Sequence, residues 1–161
     1  MLYTITMKSG LKICSLLFAL FIVSCTPDAG SGSSGGGSKT YDIMAEQATS
    51  WNECLSQQEE HYLVYFYSPT CNPCQEIKGD VVSFASSNQV KTYFVDTSLP
   101  ENKIQKCSQE EIVLGVSDVT NLYILGTPSL VEIQNGSTTS NVGGKSKCLE
   151  LLNALKTSNE N

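Results

Sequence analysis

The chain contains no arginine. Its ten cationic side chains are all lysine, set against 16 carboxylates for a formal net charge of −6. That balance excludes the basic patch on which a nucleic-acid partner would depend. Histidine occurs once, and charged residues make up only 16% of the chain. No apolar run reaches the roughly 18 residues that would mark a permanent transmembrane helix. Seven cysteines are too few to build a miniprotein from disulfides, and too many to ignore. What is left, 161 residues of which 40% are hydrophobic, suffices for one ordinary globular domain. No internal repeat is visible.

Lys8 and Lys12 flank the start of an apolar run from Ile13 to Val23, interrupted only by Cys14 and Ser15. A positive segment followed by an apolar one of this length reads as a signal peptide over residues 1–24. Met7 is a more natural start for it than Met1. The run ends in Ile22-Val23-Ser24-Cys25, which resembles the lipobox of bacterial lipoproteins. The resemblance implies that Cys25 becomes the N-terminus and carries lipid, palmitate among its acyl chains. An ordinary secretory signal with a chance cysteine is the competing reading. Thr26 to Lys39 reads TPDAGSGSSGGGSK, so residues 25–40 form a lipidated cysteine and a flexible tether spanning about 20 Å. Loss of Lys8 and Lys12 with the leader leaves eight lysines against the 16 carboxylates, a charge of about −8. An acidic domain gains nothing from an anionic lipid surface, so anchoring falls to the lipid itself. The expected location is extracytoplasmic, on a bacterial membrane.

The ordered domain is expected over residues 41–157, with a disordered tail at 158–161. Met44, Ala48, Trp51 and Leu55 are spaced as one face of an amphipathic helix. Tyr62-Leu63-Val64-Tyr65-Phe66-Tyr67 is an unbroken apolar and aromatic run, suited to a strand buried on both faces. Ser68-Pro69-Thr70 breaks it, and Ile77, Val81, Phe84 and Ala85 carry a second helical stripe. Lys91 to Asp96 reads as a strand, Glu101 to Ile112 as a weak helix, and Val119 to Tyr123 as a short one. Ser129 to Gln134 and Thr138 to Val142 flank Asn135-Gly136, the strongest short hairpin signal. A last helix carries Cys148, Leu151, Leu152 and Leu155. This order predicts an α/β fold with helices on both faces of a central sheet.

Cys71-Asn72-Pro73-Cys74 carries the chemistry. Two cysteines three apart, where a strand hands over to a helix, can close a small disulfide. Cys71 lies in the opening turn, where unpaired N–H groups and the helix dipole stabilise a thiolate. Cys71 is therefore the expected nucleophile and Cys74 the resolving thiol. Pro73 suits a first helical turn because it has no N–H to donate. Half of a zinc site is the competing reading. It lacks a second pair of ligands, since the other cysteines are isolated and His61 starts a strand; no metal is expected. Thiol exchange needs no cofactor.

With Tyr62 to Val81, Gly126-Thr127-Pro128-Ser129 and the Asn135-Gly136 hairpin, the domain resembles a thioredoxin. The resemblance implies a mixed sheet flanked by helices, with an insert at Thr97 to Val116 ahead of the helix before the cis-proline. It implies that Pro128 is that cis-proline, facing the disulfide, and that Thr127 offers backbone hydrogen bonds to a substrate strand. It also implies that Asn72 and Pro73 help set the redox potential beside the substrate. Gly143 matches a glycine that leaves room for a partner, and Gly79 falls where a proline often kinks the helix. Tyr65 stands where thioredoxins bury an aspartate that helps deprotonate the resolving cysteine, and Thr70 where they carry tryptophan. A tyrosine of ordinary pKa near 10 cannot take that proton at neutral pH. Glu132 is a candidate substitute, although a solvated edge position is the favoured reading.

Three further cysteines of the domain, Cys54, Cys107 and Cys148, are read first as buried free thiols packing as small hydrophobes. A Cys54–Cys107 disulfide and a resolving role for Cys107 are the alternatives. The function implied is an extracytoplasmic thiol–disulfide oxidoreductase acting on protein thiols and disulfides, fed by a membrane electron donor or acceptor. The Pro73 ending favours a reductase over a disulfide-forming oxidase. A docking protein for a secretion or peptide-export system is the alternative class.

Overall fold

A computed structural model of the chain describes residues 43–87 and 89–158. The leader, Cys25 and the tether lie outside the described residues, as do 159–161. Beyond a helical turn at 43–46, the described residues form four strands and two long α-helices in order: β1 (His61–Tyr67), α1 (Asn72–Ser86), β2 (Lys91–Asp96), β3 (Ser129–Gln134), β4 (Ser137–Gly143) and α2 (Lys145–Ser158). Ser158 is thus helical rather than the first residue of a tail.

The sheet runs β2-β1-β3-β4. β1 pairs parallel with β2, and antiparallel pairing joins β1 to β3 and β3 to β4. β1 is central because it can be buried on both faces. Its five inner residues, Tyr62 to Phe66, are all buried. A parallel neighbour needs a crossover, and α1 supplies it. The β3–β4 turn needs positive φ at two successive residues, and Asn135 (φ 51°) with Gly136 (φ 74°) provides them.

Alternation along the strands sorts the core into two layers. Leu63, Tyr65, Phe94 and Leu130 face Ile77, Val81 and Phe84 of α1, with Cys148 and Leu152 of α2. Tyr62, Val64, Phe66, Val95, Val131 and Ile133 face Trp51, Cys54, Leu55, Leu122 and Ile124. Both α-helices therefore cover one face. The opposite face is covered by 3₁₀ turns at Trp51–Glu53 and Val119–Asn121 and by irregular chain between them.

Two expected helices differ for identifiable reasons. Met44 and Trp51 share a helical stripe in the sequence but belong to opposite layers of the core. Residues 43–46 are helical, and the chain then extends along the outer edge of β2. There Gln47 O accepts from Phe94 N, and Thr49 N donates to Phe94 O, both at 2.9 Å. The edge pairing draws the chain from one face to the other and breaks the helix. From 101 to 112 only a 3₁₀ turn at Gln109–Glu111 forms. Ile104 and Ile112 are the stretch's only aliphatic residues, too few for a stripe. Asn102 is buried, its side chain accepting from Trp51 N at 2.8 Å and donating to Asp96 O at 2.9 Å. Those bonds hold this backbone open.

α1 runs unbroken through Gly79, where an added Cβ would meet nothing within 4 Å. Glycine inside a helix costs about 0.5–1 kcal/mol relative to alanine. Gly79→Ala is expected to stabilise the fold by about that amount, read as a higher urea midpoint at unchanged slope. A loss of stability would mean that the helix needs the glycine.

Candidate active site

β1 ends at Tyr67, and a tight turn returns the chain to start α1. Cys71 N donates to Ser68 O at 3.1 Å, and Gln75 Nε2 donates back to Pro69 O at 2.9 Å. Cys71 is the N-cap of α1, in extended conformation, and its sulfur accepts from Cys74 N at 3.2 Å. The N-cap is where a helix offers unpaired donors and the positive end of its dipole. Pro73 sits in the first turn, where its missing N–H costs nothing. A disulfide joins Cys71 to Cys74, their Cα atoms 5.2 Å apart. The two sulfurs are unequal in access: Cys71 is half-buried, whereas Cys74 is only 3% exposed. Asn72 and Pro73 between them are exposed.

The Thr127–Pro128 peptide bond is cis. Ser129, the next residue, pairs with Phe66 of β1 and Gly143 of β4. Pro128 therefore lies at the end of the sheet from which β1 runs into Cys71. Pro128 O accepts from Gly144 N at 2.8 Å, with the Cys148 thiol 3.8 Å away. Thr127 makes no backbone hydrogen bond among the described residues.

The family's sequence model for thioredoxin matches residues 42–157. The chain belongs to the thioredoxin family. A thioredoxin domain with this cysteine pair is a thiol–disulfide oxidoreductase. No curated protein matches the sequence. Among solved structures, it is similar to Chlamydomonas reinhardtii thioredoxin f2, with 18% identity, 66% of this chain and 93% of that one covered, and a TM-score of 0.46. For the oxidised mitochondrial thioredoxin 3 of Saccharomyces cerevisiae the figures are 14%, 74%, 98% and 0.48.

Several features of this thioredoxin depart from the sequence expectation. Gly143 does not leave room for a partner. A Cβ there would fall 2.5 Å from Leu125 Cβ and 2.8 Å from its Cδ1, so the space is already filled by the chain's own leucine. Glu132 is not a solvated edge residue. It is 8% exposed and pairs with His61 Nε2 at 2.9 Å, with Gln134 Nε2 donating to the same oxygen. It stands opposite Leu63 in the register, four residues before Tyr67. At about 3.3 Å per residue that is roughly 13 Å from the strand end that leads to Cys71. The Glu132 carboxylate is engaged instead by His61 and Gln134, toward the other end of the strand.

Tyr65 is 1% exposed, and its hydroxyl has no hydrogen-bond partner among the described residues. Its ring stacks on Tyr67, with centroids 5.9 Å apart, and meets Phe94 edge-on at 6.2 Å. Burial lifts its pKa well above the ordinary phenol range, and Cys148 and Tyr67 add to the rise. The position where thioredoxins bury an acid is thus aromatic, and no proton acceptor there faces Cys74. A cavity of about 460 Å³ lies beside that cysteine, bounded by Tyr65, Tyr67, Lys78, Phe94 and Asp96 among others. Sequence patterning gave no sign of this cavity, because its walls come from four separate segments.

Cys54, Cys107 and Cys148 are free thiols, so no Cys54–Cys107 disulfide forms. Cys54 and Cys148 are buried, as small core hydrophobes, whereas Cys107 is half-buried beside Ile124 O. Burial pushes both Cys54 and Cys148 up to about 12. Burial also raises Cys107, with the Glu111 carboxylate adding to the effect. Among the described residues no group of three or more His, Cys, Asp and Glu side chains gathers as metal ligands would.

Because a raised pKa keeps a thiol protonated, Cys54 and Cys148 should stay unmodified by iodoacetamide at pH 8 in the reduced native protein. Cys71 should be carboxamidomethylated first, and both core thiols should label only once urea unfolds the chain. Peptide mass mapping of the labelled cysteines checks the order.

Proposed function

We propose that this thioredoxin works as a membrane-tethered, extracytoplasmic reductase of protein disulfides. The observation that carries the reading is the unequal pair at the start of α1. Cys71 is reachable and sits where a helix N-terminus favours a thiolate, while Cys74 is buried directly behind it. Cys71 would attack a substrate disulfide and form a mixed disulfide with it. Cys74 would then attack Cys71, release the reduced substrate and regenerate the Cys71–Cys74 bond. Thr127, with unused backbone groups, would hold the substrate strand beside Pro128, and Asn72 and Pro73 would form the exposed rim. A membrane electron donor would re-reduce the pair.

Pro73 supports the reductive direction, and the lipobox-like Ile22 to Cys25 with its Gly/Ser tether supports the anchor. The docking reading has one observation in its favour. Val113 and Leu114, in the insert, are 64% and 54% exposed, more apolar surface than a redox domain needs there.

The reductase reading predicts a Cys71–Cys74 potential near the roughly −270 mV of thioredoxin; a value above about −180 mV would make the protein an oxidant or isomerase instead. In an insulin-reduction assay Cys71→Ala should abolish turnover. If the same variant keeps full cellular function, docking rather than exchange is the role. Cys25→Ser should move the protein from the membrane to the soluble fraction; continued membrane sedimentation would remove the lipid anchor from the proposal.

A further inference from the structure

A buried resolving thiol must lose its proton before it can attack, and burial disfavours the thiolate. Cys74 has this difficulty, being 3% exposed. The acceptor should lie on the cavity that borders it. Among the described residues, the titratable groups on that cavity's wall come from three elements: Tyr65 and Tyr67 from β1, Cys74 and Lys78 from α1, and Asp96 from the end of β2. The chain at 43–49 adds none to the wall.

Chemistry narrows these quickly. Burial raises both phenols, and Asp96 adds to the rise at Tyr67, so both stay protonated near neutral pH. Lys78 is an ammonium and has nothing to accept with. Asp96 is the one carboxylate among the described residues of the wall. It faces Tyr67 across the β1–β2 register. Its Oδ1 accepts from Ser98 N at 2.9 Å and from Ser98 Oγ at 2.6 Å. Those bonds fix its orientation, and no hydrogen bond among the described residues reaches Oδ2. Lys78 follows Cys74 by one helical turn on the same wall, where a positive charge favours a thiolate. The volume, about 460 Å³, exceeds by an order of magnitude the roughly 30 Å³ that a water occupies. The buried Tyr65 hydroxyl, unpartnered on that wall, offers water a further hydrogen bond.

We propose that Asp96 accepts the Cys74 proton, through water in this cavity, in the step that resolves the mixed disulfide; this rests on the exchange reaction proposed above. At that stage Cys71 Sγ is bonded to a substrate sulfur. The Cys74 proton passes by way of water to the Asp96 carboxylate, and Cys74 Sγ attacks Cys71 Sγ. The bond from Cys71 to the substrate sulfur breaks and the Cys71–Cys74 bond forms. The substrate sulfur leaves with the electron pair as a thiolate. The two electrons that reduce the substrate come from the Cys71–Cys74 dithiol. Asp96 thereby does from the end of β2 what the aromatic side chain of Tyr65 cannot do from β1.

The test uses reduced full-length protein in detergent, in a Cys107→Ser background, mixed with dithiobis(nitrobenzoate) in a stopped-flow instrument. The first thionitrobenzoate released reports attack by Cys71, and the second reports resolution by Cys74. Asp96→Asn keeps an oxygen for the Ser98 bonds but cannot take a proton. It should leave the first phase within about twofold and slow the second by about 10²-fold at pH 7, within the usual range for losing a general base. The second phase should also change from nearly flat between about pH 6 and 8 to rising about tenfold per pH unit, following the thiolate fraction. Asp96→Glu should recover much of the rate. An Asp96→Asn second phase matching the parent in rate and pH profile would overturn the proposal and leave the exchange reading intact. Equal slowing of both phases with an unchanged profile would reduce Asp96 to a structural role, again overturning it. No second release from the parent would remove the exchange reading and the proposal together.

Discussion

The burial of β1 on both faces is the constraint from which the rest of the structure follows. Five consecutive large side chains, Tyr62 to Phe66, cannot be satisfied at a sheet edge or on a one-sided sheet. The strand must lie between two neighbours and under two layers. That requirement sets the order β2-β1-β3-β4 and forces α1 across one face as the crossover to β2. It also decides where the chemistry sits. The strand stops at Ser68-Pro69, and the first residues able to leave the core are those that open α1. The cysteine pair thus inherits a rigid strand on one side and a helix N-terminus on the other.

The same constraint separates the two sulfurs. Cys71 caps the helix at the sheet's rim, while Cys74, one turn in, points toward the layer that covers Tyr65. One sulfur gains a stabilised thiolate and access to a partner. The other gains protection from unwanted partners and loses easy ionisation. Where thioredoxins resolve that conflict with a buried acid, this chain has Tyr65 stacked on Tyr67, with Phe94 edge-on to it. The stack strengthens the core and moves the proton problem to the cavity's outer wall. The rings add packed apolar surface, while the buried Tyr65 hydroxyl, without a partner among the described residues, sets a desolvation cost against it.

Local, periodic features were legible in the sequence. The strands at 61–67, 91–96 and 129–134, the hairpin at Asn135-Gly136 and the cysteine pair all declare themselves within a few residues. Features that depend on distant segments were not. Met44 and Trp51 have helical spacing, yet the hydrogen bonds of Gln47 and Thr49 to Phe94 carry them to opposite faces. Gly143 reads as open space until Leu125 is found filling it. Glu132 looks like an edge residue because its partner, His61, lies 71 positions away. Asp96 ends a strand in the sequence, and nothing nearby marks it as sharing a cavity with Cys74. At the site, the reacting pair was readable and its surroundings were not.

The uneven covering of the sheet has a consequence for how the molecule opens. The face beneath α1 and α2 is held by two helices of 15 and 14 residues with a regular backbone ladder. The other is held by 3₁₀ turns, an isolated bridge at Lys106–Ile124, and scattered side-chain bonds. Segments with few regular backbone bonds exchange their amides through small, low-energy openings, well below global unfolding. The stretch from 97 to 124 should therefore breathe while the cysteine pair, on the helical side, stays in register. A thioredoxin built this way can let one surface loosen and re-form around another protein while keeping its reactive sulfurs fixed.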